Sequence, residues 1–180
     1  PDFDAVIGMG LFSRGVVTFD FPSRRLSLRA GKLDGADPDV FATEFVYGVP
    51  LVPVSPPLEG EPRAVRVLLD TGSNTGLILP ASLRDKLKTH PGVGGRAVAD
   101  TLGGERTIDL VKLRGGLKLG RYTATDPVVG IARGRGAVGT SALLHFEVGI
   151  DQRLSRVRLK LVGTAAHPAA PPSTAPMTRP

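Results

Sequence analysis

The chain has 180 residues, a net charge of +6 and no cysteine. This length fits one domain or one and a half, and the missing cysteines exclude disulfides, thiol catalysis and thiolate metal sites. No apolar run approaches the ~18 residues of a membrane-spanning helix. A basic surface can attract nucleic acid. However, no basic stretch carries the interleaved aromatic residues on which single-stranded bases stack, so we expect no nucleic-acid partner. The compartment stays open, with the periplasm or the cell exterior slightly favoured over the cytoplasm.

The first pattern along the chain is an internal repeat. Residues 7–28 align without a gap with residues 138–159, a shift of 131 residues. Both copies read as an apolar residue and a glycine, a short helical stretch, a strand, a polar turn and a second strand. The repeat predicts two similar hairpins, and the alternative is two unrelated hairpins that match by coincidence. Asp20 and Asp151 hold matching positions where a strand meets its turn, and we interpret both as structural.

Between the two copies we expect short strands separated by turns, because the chain holds 23 glycines and 16 prolines. Residues 30–40 are polar, with glycine and proline, which is typical of a linker. The two prolines within 49–54 favour an edge strand there. The elements predicted next are a strand over 65–69, a helix over 81–88, and strands over 97–99, 107–113, 117–119 and 127–131. Residues 163–180 are rich in proline and alanine and are predicted to form a disordered tail.

The segment after strand 65–69 carries the candidate catalytic group. Asp70, Thr71, Gly72 and Ser73 follow a strand that becomes apolar throughout, so the strand end should be buried and hold the carboxylate rigidly. Gly72 permits a sharp turn and a close approach of backbone N–H groups. The hydroxyls of Thr71 and Ser73 can hold the loop and hydrogen-bond to carboxyl oxygens. Such a carboxyl group suits acid–base chemistry on a water molecule, provided that a second carboxyl group shares the proton.

The sequence LLDTGSNTGLILP, from Leu68 to Pro80, resembles the active-site strand and following segment of pepsin-like and retropepsin-like aspartic proteases, above all the bacterial retropepsin-like group. A second element of that family is an apolar-apolar-Gly segment that crosses behind the active-site loop, and Ala137-Val138-Gly139 matches it. The resemblance implies a mainly β protein with an acid-protease (retropepsin-like) closed β-barrel lobe over 41–162 and one or two short helices. Residues 1–29 would be the C-terminal part of a preceding aspartic-protease-like lobe.

The same resemblance implies an aspartic endopeptidase that acts on peptide or protein substrates. Asp70 would be a catalytic carboxylate. Thr71 would join the hydrogen-bonded brace between paired active-site loops, and Gly72 would permit the loop conformation. Neither a metal ion nor a cofactor is implied.

Substrate binding would involve Ser73 and a flexible β-hairpin flap over the cleft. We expect the flap tip at Leu102–Glu105, with Gly103 and Gly104 as its substrate-binding residues. No tyrosine or tryptophan occupies this tip, which departs from the better-known patterns of the family.

One lobe supplies one aspartate, whereas the mechanism needs two. If the repeat continues without gaps, the matching aspartate lies at 70 − 131 = −61, about 61 residues before Pro1. Alternatively, two copies of the lobe pair as a homodimer and each contributes Asp70. A further alternative is a non-catalytic retropepsin-fold module that binds peptide or mediates dimerisation.

Two other patterns point to different chemistry. Residues 134–139 read Gly-x-Gly-x-x-Gly, the form of a dinucleotide-binding turn, but the chain shows no alternating strand–helix units. His90, His145 and His167 are scattered, without the spacing of a zinc site or the partners of a serine–histidine site.

Overall fold

The computed structural model describes residues 7–101 and 104–162. Within these ranges the chain is mainly β. Its helical segments are a 3-10 turn at Met9–Phe12, a 3-10 helix at Ala81–Lys86 and the helix α1 at Thr140–Leu143. The strands are β1 (Val16–Asp20), β2 (Arg25–Arg29), β3 (Val40–Ala42), β4 (Phe45–Val46), β5 (Val49–Ser55), β6 (Val65–Leu69), β7 (Leu77–Pro80), β8 (Thr89–Thr101), β9 (Gly104–Leu113), β10 (Gly116–Leu119), β11 (Tyr122–Thr125), β12 (Val128–Ala132), β13 (Ala137–Val138), β14 (Phe146–Asp151) and β15 (Arg156–Leu161).

Ten strands form one curled sheet. Its order is β11-β10-β5-β6-β13-β7-β12-β9-β8, and β4 pairs with β5. The mainly β, acid-protease-like fold is therefore confirmed. The sheet is a half-barrel rather than the closed barrel predicted, because its end strands β11 and β8 do not pair with each other in the described part of the chain.

The core lies inside this curl, where the central strands turn their apolar side chains inward. Val52, Val67, Leu79 and Val138 are fully buried. Burial of each such side chain contributes about 1.5–3 kcal/mol, so the middle of the sheet is a rigid platform. Strand β6, which carries the candidate catalytic residue at its end, runs through this platform between β5 and β13.

A second sheet has five strands in the order β2-β1-β14-β15-β3. It contains both hairpins of the sequence repeat, and the predicted strand–turn–strand pattern of each is confirmed. The segment predicted as a linker crosses this sheet. There the buried Leu33 donates its N–H to the Asp151 carboxylate at 3.2 Å and accepts a bond from Arg156 at 2.6 Å.

Three predicted elements differ from the structure. Strand β5 is internal and not an edge, since it pairs with both β6 and β10. The helix predicted over 81–88 is a shorter 3-10 helix with Leu83 buried. Strand β8 begins at Thr89, eight residues before the predicted strand over 97–99, and the register shifts between Thr89 and Gly94. Among the described residues, no helix is long and apolar enough to cross a membrane.

Candidate active site

Asp70 lies directly after the last residue of the central strand β6. The strand alternates so that Val67 and Leu69 point into the core. Its parallel neighbour β13 continues the pairing past the strand end, because the N–H of Asp70 donates to the carbonyl oxygen of Val138 at 2.9 Å. The backbone of Asp70 is thereby fixed to a buried strand while its side chain is half-exposed.

The Asp70 carboxylate closes a short turn of its own. Its Oδ1 accepts a hydrogen bond from the N–H of Gly72 at 3.1 Å. The N–H of Ser73 donates to the carbonyl oxygen of Asp70 at 3.3 Å. Asp70, Thr71 and Ser73 are half-buried and Gly72 is exposed. The four predicted residues thus form one compact loop whose carboxylate reaches the surface.

Hydroxyl groups stabilise the next part of the loop. Ser73 Oγ and Thr75 Oγ1 lie 2.8 Å apart, and the N–H of Thr75 donates to Ser73 Oγ at 3.3 Å. The Ser73 hydroxyl therefore bonds within the loop, to Thr75 and not to the carboxyl oxygens predicted for it. Its predicted contact with substrate stays a prediction.

The start of α1 holds the loop from behind. Thr140 donates twice to the carbonyl oxygen of Ser73, through its N–H at 2.8 Å and through Oγ1 at 2.9 Å. Ser141 donates through its N–H to Thr75 O at 3.2 Å and through Oγ to Asn74 O at 2.6 Å. The first N–H groups of a helix lack partners within the helix. Here the carbonyl groups of the Asp70 loop accept hydrogen bonds from the first N–H groups of α1.

Thr140 and Ser141 were not predicted as site residues. Their only signal in the sequence is that two hydroxyl residues directly follow Val138-Gly139, at the start of a short helical stretch. Such residues commonly begin helices. Their contact with a loop 67 residues earlier depends on tertiary structure.

The predicted crossing segment lies where the family resemblance placed it. Strand β13 pairs parallel to β6 and antiparallel to β7, so it fills the gap between the two strands that flank the loop. At its end, the N–H of Gly139 donates to Gly76 O at 3.0 Å. A Cβ on Gly139 would lie 2.3 Å from Thr75 O, so this position accepts only glycine.

The glycine pattern 134–139 is explained by this packing. Gly136 has a φ of +83°, and a Cβ there would lie 2.6 Å from Ile78 O. The helix that follows Gly139 has only four residues. A dinucleotide site uses a longer helix within strand–helix units, so the structure opposes that alternative.

Gly72 differs from these packed glycines. Its φ is not positive, and the only described atom within 4 Å of a Cβ built there is Oδ1 of Asp70, at an ordinary 3.5 Å. The described residues of this lobe would therefore accept a side chain at position 72.

The predicted flap corresponds to the hairpin of β8 and β9. These strands pair as far as Thr101 opposite Gly104. Leu102 and Gly103 lie outside the described residues. At the base of the hairpin, Asp109 pairs with Arg84 of the 3-10 helix and with Arg96 at 3.4 Å. The three side chains are exposed, so this network contributes little stability.

No group of three or more potential metal ligands occurs in the part of the chain that the structure describes. Residues 57–144 match the family model described as aspartyl protease. The matched range contains the Asp70 loop, the predicted flap and the crossing segment. Curated proteins give no match to this chain.

Proposed function

We propose, because residues 57–144 match the family model described as aspartyl protease, that the chain supplies Asp70 to the active site of an aspartic endopeptidase. The observation that carries this proposal is the setting of Asp70 within the matched range. Its backbone continues a buried strand, its loop is fixed by α1, and its carboxylate is at the surface. A rigidly held and accessible carboxylate is what acid–base chemistry on a bound water requires.

The proposed reaction needs two carboxyl groups that share one proton and one water. Like charges at such a distance cannot both ionise, so one group is protonated. The ionised group takes a proton from the water as its oxygen attacks the peptide carbonyl carbon. The protonated group donates to the carbonyl oxygen. When the C–N bond breaks, the former base gives its proton to the leaving nitrogen. The former acid takes a proton back from a hydroxyl of the tetrahedral intermediate, which becomes the product carboxyl group, so the dyad returns to its starting state.

The neighbouring residues take supporting roles in this proposal. Thr71 braces the loop against a second active-site loop, and Gly72 keeps the exposed side of the loop small. Ser73, together with Gly103 and Gly104 at the flap, contacts the substrate backbone. The second aspartate comes from an upstream lobe or from a dimer mate.

Cleavage of an unstructured protein by the complete protein tests this function. We expect cleavage at acid to mildly acidic pH and inhibition by a statine-type compound. Asp70→Asn removes a group that must both accept and donate a proton, and we expect it to lower kcat at least ~100-fold. The folded state should be retained, because the Gly72 N–H can still donate to the asparagine side-chain oxygen.

Asp85→Asn is the matched control. Asp85 is an exposed aspartate on the 3-10 helix, and its substitution should leave cleavage unchanged. Equal residual activity in the wild type and in Asp70→Asn would mean that Asp70 is not catalytic. The non-catalytic binding module would then be the better explanation of the fold.

A further inference from the structure

The two copies of the repeat fold alike. The 3-10 turn Met9–Phe12 and α1 are four residues long and lie 131 positions apart. Each is preceded by a glycine in an extended conformation, Gly8 in the first copy and Gly139 in the second. The strands that follow, β1 with β2 and β14 with β15, form antiparallel hairpins at the same spacing.

The hairpin turns agree in detail. In the first copy, Oδ1 of Asp20 accepts a bond from the N–H three residues later at 3.0 Å, and in the second Oδ1 of Asp151 does the same at 3.3 Å. Both turns end in a residue with positive φ, Arg24 at 52° and Ser155 at 50°. This agreement argues against two unrelated hairpins.

The two hairpins are related by a local twofold axis. Strand β1 pairs with β14 so that Thr18 lies opposite Gly149, and these residues are counterparts in the repeat. The flanking pairs exchange in the same way, because Val17 opposes Ile150 while Phe19 opposes Val148. In a twofold interface, when residue i of one copy contacts residue j of the other copy, residue j of the first copy also contacts residue i of the second. The first hairpin therefore occupies the edge of β14 that a second copy of the lobe would need.

Two apolar side chains on β2, the second strand of the first copy, lack the cover that their counterparts have. Leu26 and Leu28 are 55% and 52% exposed, whereas their counterparts Val157 and Leu159 are 0% and 1% exposed. The outer edge of β15 is paired with β3, while β2 ends its sheet in the described part of the chain.

The contrast repeats at the crossing segment. Ile7 is 64% exposed, whereas its counterpart Val138 is fully buried beside β6 and β7. Within residues 7–101 and 104–162, the first copy thus presents the closing elements of a lobe without the strands that such elements cover in the second copy.

We propose that the second carboxylate comes from a lobe that precedes residue 7 in the same polypeptide, and not from a second copy of this chain. This proposal rests on the proposed function and names the partner of the same site. The preceding lobe covers Leu26 and Leu28 with its core. It adds a strand to the edge of β2 that has no partner among the described residues, as β3 does for β15.

A mixing experiment distinguishes the two sources of the aspartate. The complete wild-type protein is co-expressed with a tenfold excess of its Asp70→Asn variant under a different tag. With the second aspartate in the same polypeptide, the activity per wild-type chain should be unchanged and neither tag should recover the other. In a homodimer most wild-type chains would pair with the variant, and their activity would fall roughly tenfold. That fall would overturn this proposal while leaving the role of Asp70 intact.

A second experiment needs no catalysis. The double variant Leu26→Glu, Leu28→Glu should lower the Tm of the complete protein but not of the 180-residue chain, in which both leucines are exposed. Leu154→Glu, at an exposed leucine in the turn of the second hairpin, is the control and should be neutral in both. An equal response of the two proteins to the double variant would overturn the proposal.

Discussion

Gly139→Ala should separate the Asp70 loop from the helix that supports it. The new Cβ would lie 2.3 Å from Thr75 O and 2.9 Å from Ser73 O. Both are backbone atoms, so the clash cannot be relieved by rotating a side chain. The segment at Gly139 and Thr140 must therefore move away from the loop.

The size of the effect follows from the bonds at risk. They are three: the Gly139 N–H to Gly76 O at 3.0 Å, and the two donations of Thr140 to Ser73 O at 2.8 and 2.9 Å. Each contributes about 1 kcal/mol net, and overpacking alone costs about 1–3 kcal/mol. Since a shift relieves the clash by weakening the bonds, we expect a loss of about 3 kcal/mol. For a chain of this size the Tm should fall by roughly 6–12 °C.

Urea unfolding of the 180-residue chain measures this loss directly, and Gly8→Ala is the matched control. Gly8 holds the same place in the first copy of the repeat, yet no described atom lies within 4 Å of a Cβ built there. We expect Gly8→Ala to change the free energy of unfolding by less than ~0.5 kcal/mol. The reasoning is refuted if Gly139→Ala is as stable as the wild type, or if the two alanine variants lose equal stability.

Two further substitutions probe the exposed side of the site and the pH response of the fold. Gly72→Ala should leave the Tm within about 2 °C, because its Cβ meets only Oδ1 of Asp70 at 3.5 Å, but should lower kcat/KM of the complete protein; a large drop in Tm would contradict this. The pKa of Asp126 lies below its usual value, chiefly because the Gly115 N–H donates to its carboxylate. Desolvation opposes this shift, and His90 lowers the pKa further. The ionised form therefore stabilises the fold above the unfolded-state pKa of about 4, and this contribution is lost as the pH falls through the lowered folded-state value. The Tm difference between wild type and Asp126→Asn should shrink between pH 7 and pH 3, and a constant difference would contradict the assignment.

The elements predicted best are those whose signal is local. Strand 65–69, the loop from Asp70 and the segment at Val138 each carry their pattern within a few residues. Strands that are buried must be apolar. A position such as Gly139, where a Cβ would clash with a backbone carbonyl oxygen, must be glycine. These residues were therefore recognisable before the structure placed them together.

The errors arose where tertiary pairing overrides a local rule. Two prolines in β5 favoured an edge strand, because proline cannot donate to a neighbouring strand. The structure accommodates both. Pro50 opposes Phe45 of the short strand β4, and β10 pairs with β5 only at Val54 and Ser55, beyond Pro53. Likewise, the strand predicted over 97–99 begins at Thr89, because a register shift between Thr89 and Gly94 accommodates Pro91 and Gly92 within one long strand. Neither outcome is visible in a single segment.

The two copies of the repeat differ most at the glycine that precedes each helical turn. Gly139 is confined by the loop that carries Asp70, whereas Gly8 faces open space. If a preceding lobe supplies the counterpart of that loop, Gly8 is confined in the complete protein. Gly8→Ala should then be neutral in the 180-residue chain but should destabilise the complete protein about as much as Gly139→Ala does. A neutral effect in both would mean that no counterpart loop packs there. Because the Asp70 loop packs on Gly139 through Thr75 and Ser73, this stability measurement reports on the presence of a counterpart loop beside Gly8 without any assay of peptide cleavage.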